Sequence, residues 1–295
     1  MKKNVSKEEL TAIIMEDFPD LIIKKVDNIE TGTENIVLSV NDEFIFRFSI
    51  DIKDNFIKEE KVLNVLKGKL SFKIPEIIFE GKSHLYFGYK KIQGKILTAD
   101  EYSILSITTK DYIASQLSSF LIEIHNQPVS YFSFIDLEPA NKDLLIGEIE
   151  NKKNQIPFDD IRKHAYFVLD WYKKIKEDKT NQSLIHWDLN FNNFLVDENY
   201  NITGIIDFST VTIGDPHLDF HSEYRDSMDL VIRVVEQYNL KSKKQINLKR
   251  VMLYSWINEL YDLCVNLDNQ DSVNFKNAVQ RMRSWEKISY LDITS

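Results

Sequence analysis

The sequence predicts an α+β protein with two lobes, a small β-rich N-terminal lobe over residues 1–92 and a larger, mainly helical C-terminal lobe over residues 93–295. Two patterns lead to this prediction. Short runs of β-branched and aromatic residues dominate the N-terminal part, whereas apolar residues recur at helical spacing through the remainder. The chain has 295 residues, 43% of them hydrophobic, so it is long enough to bury a real core.

The N-terminal lobe begins with a capping box and a hairpin. Ser6 to Glu9 has the spacing of a capping box ahead of apolar residues at helical intervals, which predicts a helix over residues 6–18. The turn-forming pair Asn41-Asp42 separates two β-type runs, which predicts a hairpin. The remaining predicted elements are a helix over 55–69 and strands at 36–40, 44–48, 77–79 and 85–89.

The C-terminal lobe is predicted to be mainly helical after a hinge at Gln93-Gly94-Lys95. Its clearest helix follows Thr108 and Thr109 and runs to His125, with apolar residues along one face. Further helices are predicted over residues 159–176, 223–238, 248–265 and 272–288.

Composition excludes several classes of partner. The formal net charge of -9 opposes binding to a polyanion, so nucleic acid is not expected as the main partner. The N-terminus lacks the apolar segment of a signal peptide and no run approaches about 20 apolar residues, so we expect no membrane association and a cytoplasmic protein. Cys264 is the single cysteine, and its apolar flanks predict a buried structural thiol.

The candidate catalytic residues lie in one stretch of the chain, residues 184–196, and in a shorter one at residues 204–208. Asp188 follows a predicted strand, where a carboxylate can accept a hydrogen bond from a substrate hydroxyl and take its proton. Asn193 offers an amide oxygen to a hard cation, and Asp207, at the end of the next strand, offers a carboxylate. Mg²⁺ prefers such oxygen ligands. The stretch therefore predicts one general base and two metal ligands.

The spacing of these residues is the catalytic-loop pattern of kinases. His186-x-Asp188 is followed by four residues and then Asn193, with the metal-binding Asp207 downstream. The structural alternative is a polar turn over residues 190–193 between two buried strands, in which His186 and Asp207 are satisfied structural groups. A turn accounts for the asparagines but not for this spacing.

These motifs resemble the aminoglycoside phosphotransferase family, a small-molecule branch of the protein-kinase-like fold. The family's catalytic loop, its Ile-Asp-Phe metal motif and its Asp-Pro-x-x-Asp-Phe motif occur in order, the last at residues 215–220, and the helix ending at His125 matches a further family motif. The resemblance covers nearly the whole chain and is greatest to the 2''-type enzymes. It implies a resistance enzyme that uses Mg²⁺ and moves the γ-phosphoryl of ATP or GTP to a hydroxyl of an aminoglycoside, a small cationic acceptor.

The resemblance also implies a nucleotide site in the N-terminal lobe. Arg47 stands where the family usually has a phosphate-contacting lysine, and Glu59 on the following helix could hold it in place. An exposed arginine on an edge strand is the alternative. The loop around Gly32 would cover the nucleotide, although an ordinary hairpin turn also explains it. The full set of implied nucleotide-binding residues is Thr31, Gly32, Thr33, Arg47, Glu59, Lys90 and Ile92.

The acceptor site is the least defined part of the prediction. Trp187 stands where the family has glycine or asparagine, so its indole either packs beneath the loop or forms a wall of the acceptor site. A polycationic acceptor calls for carboxylates, although acidic residues on helices are also typical of a solvated face. The candidate acceptor-binding residues are Trp187, Glu223, Trp256, Glu259 and Asp262.

Two rival functions remain open. Within the enzymes, the acceptor could be another small alcohol such as a macrolide, choline or a sugar-like metabolite, and a macrolide calls for a large apolar cleft. From a different class, the chain could be a nucleotide-binding pseudoenzyme, as its poor glycine loop, Arg47 and Trp187 suggest. The intact set of Asp188, Asn193 and Asp207 argues against that reading, since a pseudoenzyme has no chemical need for all three.

Overall fold

The structure is a computed structural model that describes residues 5–29, 35–49, 53–82, 84–135, 142–174, 182–221 and 227–289. The chain forms two compact units, each built from separate segments. Unit 1 comprises Met1–Ile104, Ser130–Ile135 and Phe191–Val211, and unit 2 comprises Leu105–Val129, Asp136–Asn190 and Thr212–Ser295. The lobe boundary predicted between residues 92 and 93 stays a prediction.

The described elements combine helices with short strands, as the α+β prediction requires. In the first part of the chain they are α1 (Lys7–Asp17), β1 (Val26–Ile29), β2 (Asn35–Val40), β3 (Phe44–Ser49), α2 (Lys53–Leu66), β4 (Ile77–Glu80), β5 (Tyr86–Lys90), β6 (Lys95–Ile96), α3 (Ala99–Ser103) and α4 (Ile107–His125). They continue with α5 (Lys142–Lys152), α6 (Asp159–Lys174), β7 (Ser183–Ile185), β8 (Phe194–Val196), β9 (Ile202–Ile205), β10 (Thr212–Gly214), α7 (Met228–Lys241), α8 (Leu248–Val265) and α9 (Val273–Ser289).

Unit 1 contains an antiparallel sheet with strand order β1-β2-β3-β5-β4. The predicted hairpin is β2–β3, and Asn41 and Asp42 in its turn have φ values of 58° and 56°, a conformation that these residue types tolerate. Ser6 and Glu9 form the predicted capping box at the start of α1. One face of the sheet buries apolar side chains against α1, namely Leu10, Ile14, Leu38, Val40, Phe46, Phe48 and Tyr86.

A second sheet of unit 1 has the order β6-β8-β9 and consists of short antiparallel strands. Gly204 in β9 lies close against Ile92, because a Cβ atom at this position would stand 2.6 Å from Ile92 Cγ2. Any larger residue would collide with that side chain. The β8–β9 hairpin is therefore packed directly against the segment that follows β5.

Unit 2 is mainly helical, with α4 packed against α7 and with α8 in contact with α5, α6 and α9. The short strands β7 and β10 pair antiparallel, and α4 packs against β7. Helix α4 begins at Ile107, before the predicted start, because Ser106 caps it by accepting a hydrogen bond from the Thr109 N–H. Cys264 is buried, as predicted.

The sequence patterns do not predict two of the described helices, α3 and α5. Helix α3 is only five residues long, although Thr98 and Glu101 give it a capping box. Helix α5 has few apolar residues, so its sequence lacks the strong helical periodicity of α6. Across the described part of the chain, we find no helix with both the length and the apolar character needed to span a bilayer.

Candidate active site

The β8–β9 hairpin brings Asn193 and Asp207 close together within unit 1. Asn193 immediately precedes β8, Asp207 follows β9 after one residue, and Phe194 pairs with Ile205 across the hairpin. The Ile206 N–H donates a hydrogen bond to the Asn193 carbonyl at 2.9 Å. The antiparallel register therefore places the two predicted metal ligands at the same end of the hairpin.

Asp207 is held in an unusual conformation by its neighbours. Its φ is 62°, in the left-handed region that costs a residue with a Cβ atom about 1 kcal/mol. The Ser209 hydroxyl donates to Asp207 Oδ1 at 2.7 Å, and Arg47 Nη2 lies 3.3 Å from the same oxygen. The side chain remains 39% exposed, so its carboxylate is oriented without being buried.

Arg47 is a buried ion-pair centre. It lies on β3, between β2 and β5, and is only 6% exposed, so the alternative of an exposed edge-strand arginine is wrong. Arg47 Nη1 donates to Glu59 Oε1 at 2.7 Å, and Glu59 on α2 is fully buried. The same Glu59 oxygen accepts the Phe208 N–H at 3.2 Å. Glu59 therefore fixes both the guanidinium and the backbone beside Asp207.

The pKa values of Arg47 and Glu59 depend on each other's charge and on that of Asp207. Burial raises the pKa of Glu59 to about 7, and the charge of Arg47 opposes that rise. Burial also disfavours the charged guanidinium, but the facing carboxylates of Glu59 and Asp207 outweigh it, so the pKa of Arg47 is raised. One cation thus pairs with two carboxylates in unit 1, and the group carries a net negative charge when both carboxylates are ionised.

The donor set on the hairpin fits Mg²⁺ held together with a nucleotide. Asp207 supplies a carboxylate and Asn193 an amide oxygen, both hard ligands. In the residues with described side chains there is no group of three or more His, Cys, Asp or Glu residues arranged to hold a metal. Mg²⁺ is usually bound through one or two protein oxygens, with phosphates and water completing the shell, so a sparse set of this kind suits it.

The predicted catalytic loop belongs to unit 2 as far as Asn190, and Asp219 holds the backbone of this part. After the buried strand β7, the His186 and Trp187 N–H groups donate to Asp219 at 3.0 and 2.5 Å. His125 Nε2 donates to the same carboxylate at 2.8 Å. Asp219 is fully buried, so these three hydrogen bonds replace the solvation that its carboxylate loses.

The hydrogen bonds around Asp219 continue through His125 to Tyr238 on α7. Tyr238 lies 2.9 Å from His125 Nδ1, and since Nε2 donates to Asp219, Nδ1 accepts from the tyrosine hydroxyl. Asp215, four residues before Asp219, is fixed separately by Tyr254 at 2.6 Å and Arg250 at 2.5 Å. Burial alone would raise the pKa of Asp215, but hydrogen bonds and the positive charge around it hold that pKa below its usual value.

Asp188 is half-buried next to this anchored backbone. Asn190 Nδ2 donates to its Oδ1 atom at 3.0 Å. The sequence patterns predict no role for Asn190, His125 or Tyr238, and they identify Asp219 only as part of the motif at residues 215–220. That motif and the helix ending at His125 are visible in the sequence. The contact between His125 and Asp219 is not, because the two residues are 94 positions apart.

Trp187 adopts a conformation that is unusual for its residue type. Its φ is 65° and its side chain is half-buried. A positive φ is the physical reason that glycine or asparagine suits this position, as in the resembling family. The structure does not place the indole against an acceptor, so its acceptor-binding role stays a prediction.

Replacing Trp187 should separate backbone strain from side-chain packing. Trp187→Gly and Trp187→Ala both remove the indole, but only glycine adopts a φ of 65° without strain. We expect the glycine variant to be more stable than the alanine variant by about 1 kcal/mol in urea unfolding. Equal stability would contradict a strained loop at this position.

The remaining acceptor-binding candidates are largely corrected by the structure. Trp256 is 1% exposed and packs edge-on against His164, with ring centroids 4.5 Å apart. Glu259 is fully buried and pairs with Arg281 of α9 at 2.9 Å. Both lie in the core between helices, because α8 is buried on most of its surface and does not present a solvated face. Asp262 is half-buried and stays a candidate, and Glu223 lies outside the described residues.

His164 should make the stability of unit 2 depend on pH. It is 6% exposed, neither ring nitrogen has a hydrogen-bond partner among the described residues, and burial lowers its pKa to about 4. The unfolded chain takes up a proton near pH 6.5, before the folded chain does, so stability is lost as the pH falls from 6.5 toward 4. We expect a loss of about 2 kcal/mol between pH 7 and pH 4.5, by urea unfolding.

The matched control is His164→Phe, which keeps an aromatic ring but does not titrate. Its unfolding free energy should fall less over the same pH interval. Asp160 and Arg283, an ion pair at 3.0 Å, are the charged residues that line the same small cavity and remain in both proteins. Parallel pH profiles for the two proteins would contradict the role of His164.

The rest of the predicted nucleotide site is only partly described. Thr31, Gly32 and Thr33 lie outside the described residues. Lys90 is exposed at the end of β5, and Ile92 is half-buried against Gly204. The intervening Lys91 N–H already donates to the Glu43 carbonyl at 2.7 Å. The nucleotide contacts of Lys90 and Ile92 therefore stay predictions.

The fold and these residues define a phosphotransferase of the protein-kinase-like class. Residues 25–245 match the model of the phosphotransferase enzyme family, so the chain belongs to that family. Membership confirms the predicted enzyme class, a nucleotide-dependent phosphotransferase.

Solved structures of related proteins support the fold. A complex of wild-type aminoglycoside 2'-phosphotransferase-IIIa with GDP is similar at a TM-score of 0.83 and 23% identity, over 97% of this chain and 100% of that chain. A complex of APH(2'')-IIIa with GDP and kanamycin gives 0.80 and 23%, over 96% and 100%. Macrolide 2'-phosphotransferase type I gives 0.68 and 14%, over 94% and 97%.

Proposed function

We propose that this protein transfers the γ-phosphoryl group of GTP or ATP to a hydroxyl group of an aminoglycoside and so acts as a resistance enzyme. The observation that carries the proposal is the ion-pair centre of Arg47, Glu59 and Asp207, beside Asn193 on the same hairpin. It provides fixed positive charge next to two oxygen ligands. That arrangement suits the polyphosphate of a nucleotide with Mg²⁺.

The chemistry follows from the roles of a few side chains. Asp188 orients the acceptor hydroxyl and accepts its proton, and the hydroxyl oxygen attacks the γ-phosphorus directly. Asn193 and Asp207 hold Mg²⁺, and the chemistry it supplies when bound is charge neutralisation on the phosphates. Arg47, fixed by Glu59, steadies the phosphate oxygens. No phosphoenzyme is required.

Two observations support an aminoglycoside as the acceptor. The net charge of -9 favours a polycation over an anionic substrate. One structural neighbour was solved with both kanamycin and GDP. Another was solved with GDP, which supports testing GTP beside ATP as the donor. The acceptor-binding side chains that we retain are Trp187 and Asp262, and the cytoplasmic location stays a prediction from the sequence.

A macrolide is the second candidate acceptor. The observation in its favour is the similarity to macrolide 2'-phosphotransferase type I. A macrolide is large and carries far less positive charge than an aminoglycoside, so the two acceptors require different clefts. A direct comparison of turnover distinguishes them.

The test is a coupled nucleotide-turnover assay on the full-length protein. Mg²⁺ is present throughout, ATP and GTP are compared in parallel, and the acceptors are kanamycin, gentamicin, erythromycin and choline. We expect turnover to rise with an aminoglycoside, and mass spectrometry should find the acceptor heavier by one phosphoryl group.

Each outcome of the assay supports one candidate function. Stimulation of nucleotide turnover by erythromycin alone supports a macrolide phosphotransferase, and stimulation by choline alone supports a kinase for another small alcohol. Tight nucleotide binding without stimulation by any acceptor contradicts the proposed function and favours a nucleotide-binding pseudoenzyme.

A further inference from the structure

A side chain with no assigned role contacts the proposed base. Asn190 Nδ2 donates to Asp188 Oδ1 at 3.0 Å, and a longer contact of 3.5 Å reaches the Asp188 backbone carbonyl. Both side chains are half-buried. The kinase-type spacing fixes the residues at 186, 188 and 193 but leaves position 190 open, so the spacing alone does not predict this contact.

We propose that Asn190 is a positioning residue that holds the Asp188 carboxylate in the orientation required for catalysis. An aspartate side chain without such a contact can occupy several staggered rotamers. A hydrogen bond to a charged acceptor is stronger than one between neutral groups, so the amide favours a single rotamer. The inference rests on the proposed function, because it assigns the role of Asn190 through Asp188.

The backbone on the other side of Asp188 is already fixed. The Trp187 N–H group is bound to Asp219, as is that of His186, so the two peptide groups that lead up to Trp187 are held in place. The orientation of the carboxylate then depends on its own side-chain torsions. Asn190 is two residues beyond Asp188 and contacts both its carboxylate and its carbonyl, which restrains those torsions from the C-terminal side.

The reaction step shows why orientation matters. A lone pair of the acceptor hydroxyl oxygen forms a bond to the γ-phosphorus, and the bond from that phosphorus to the bridging oxygen breaks with its electron pair on the departing nucleoside diphosphate. The hydroxyl proton passes to the Asp188 carboxylate. Asn190 touches none of these atoms and acts only through Asp188. A misdirected carboxylate slows this step without weakening the binding of either substrate.

The test compares matched variants of the full-length protein. Asn190→Ala removes the donor, and Asn190→Asp keeps the shape but replaces the donor with a negative charge. Asn192→Ala is the control, because Asn192 is an exposed neighbour in the same loop. Initial rates are measured with Mg²⁺ and GTP or ATP, using kanamycin or the acceptor with the highest turnover. Nucleotide Kd and thermal unfolding are measured on the same samples.

We expect kcat to fall about 10- to 100-fold in Asn190→Ala and at least as much in Asn190→Asp. The KM values, the nucleotide Kd and the Tm should stay close to those of the wild type, and Asn192→Ala should retain its turnover. A kcat within about twofold of wild type in Asn190→Asp overturns the inference, as does a raised KM at unchanged kcat.

The two failures remain distinguishable. A wild-type protein that phosphorylates no acceptor overturns the proposed function and this inference with it. An active wild type whose Asn190 variants are equally active overturns only the positioning role. If Asn190→Ala does not fold, Asn190→Asp decides the matter, because it preserves the volume of the side chain.

Discussion

Asp188→Asn should lose phosphoryl transfer almost completely while it still binds the nucleotide. The amide has the shape of the carboxylate but cannot take a proton from the acceptor hydroxyl. General bases typically contribute 100- to 10,000-fold to a rate, so we expect kcat to fall by about that factor. The nucleotide Kd should change little, since Arg47, Asn193 and Asp207 are intact.

The control for this prediction is Asp271→Asn, which makes the same chemical change at a fully exposed position. It should leave both turnover and binding unaltered. Near-normal turnover in Asp188→Asn would remove Asp188 from the role of base. A parallel loss of nucleotide binding would instead show that the substitution disturbs the donor site.

Asp219→Ala should produce a large loss of stability in unit 2, greater than that of Tyr238→Phe. It removes a buried carboxylate that accepts from the His186 and Trp187 N–H groups and from His125. Three donors then lose their partner away from water, at about 1–3 kcal/mol each when no water replaces it. We expect the free energy of unfolding to fall by about 3–5 kcal/mol, measured by urea denaturation.

Tyr238→Phe provides the matched comparison. It removes only the hydroxyl at the far end of the same chain of hydrogen bonds and leaves all three donors of Asp219 in place. Its cost should be about 1 kcal/mol. If Asp219→Ala costs no more than Tyr238→Phe, then water satisfies the backbone donors and the loop does not depend on Asp219.

Local patterns in the sequence predicted much of the fold and part of the site. The capping box at Ser6 and the hairpin turn at Asn41 and Asp42 appear in the structure, and both depend on residues close in sequence. The pairing of Arg47 with Glu59, which the family resemblance implied, is also present. The family motifs added the order of the catalytic loop and the metal hairpin.

Long-range contacts and helix faces could not be predicted in the same way. Asp219 lies 33 positions from His186, and no periodicity connects the two. Trp256 and Glu259 were expected to face an acceptor because an aromatic residue near acids suggests a binding surface. Helix α8 is instead surrounded by α5, α6 and α9, so both side chains are buried and Glu259 is paired with Arg281.

The left-handed backbone at Trp187 has a consequence for the substitutions that are accessible at this position. Tryptophan has a single codon, UGG, and one base change converts it to GGG, a glycine codon. Glycine adopts the φ of 65° without strain. A substitution that relaxes the backbone next to Asp188 is therefore one nucleotide away from the present sequence.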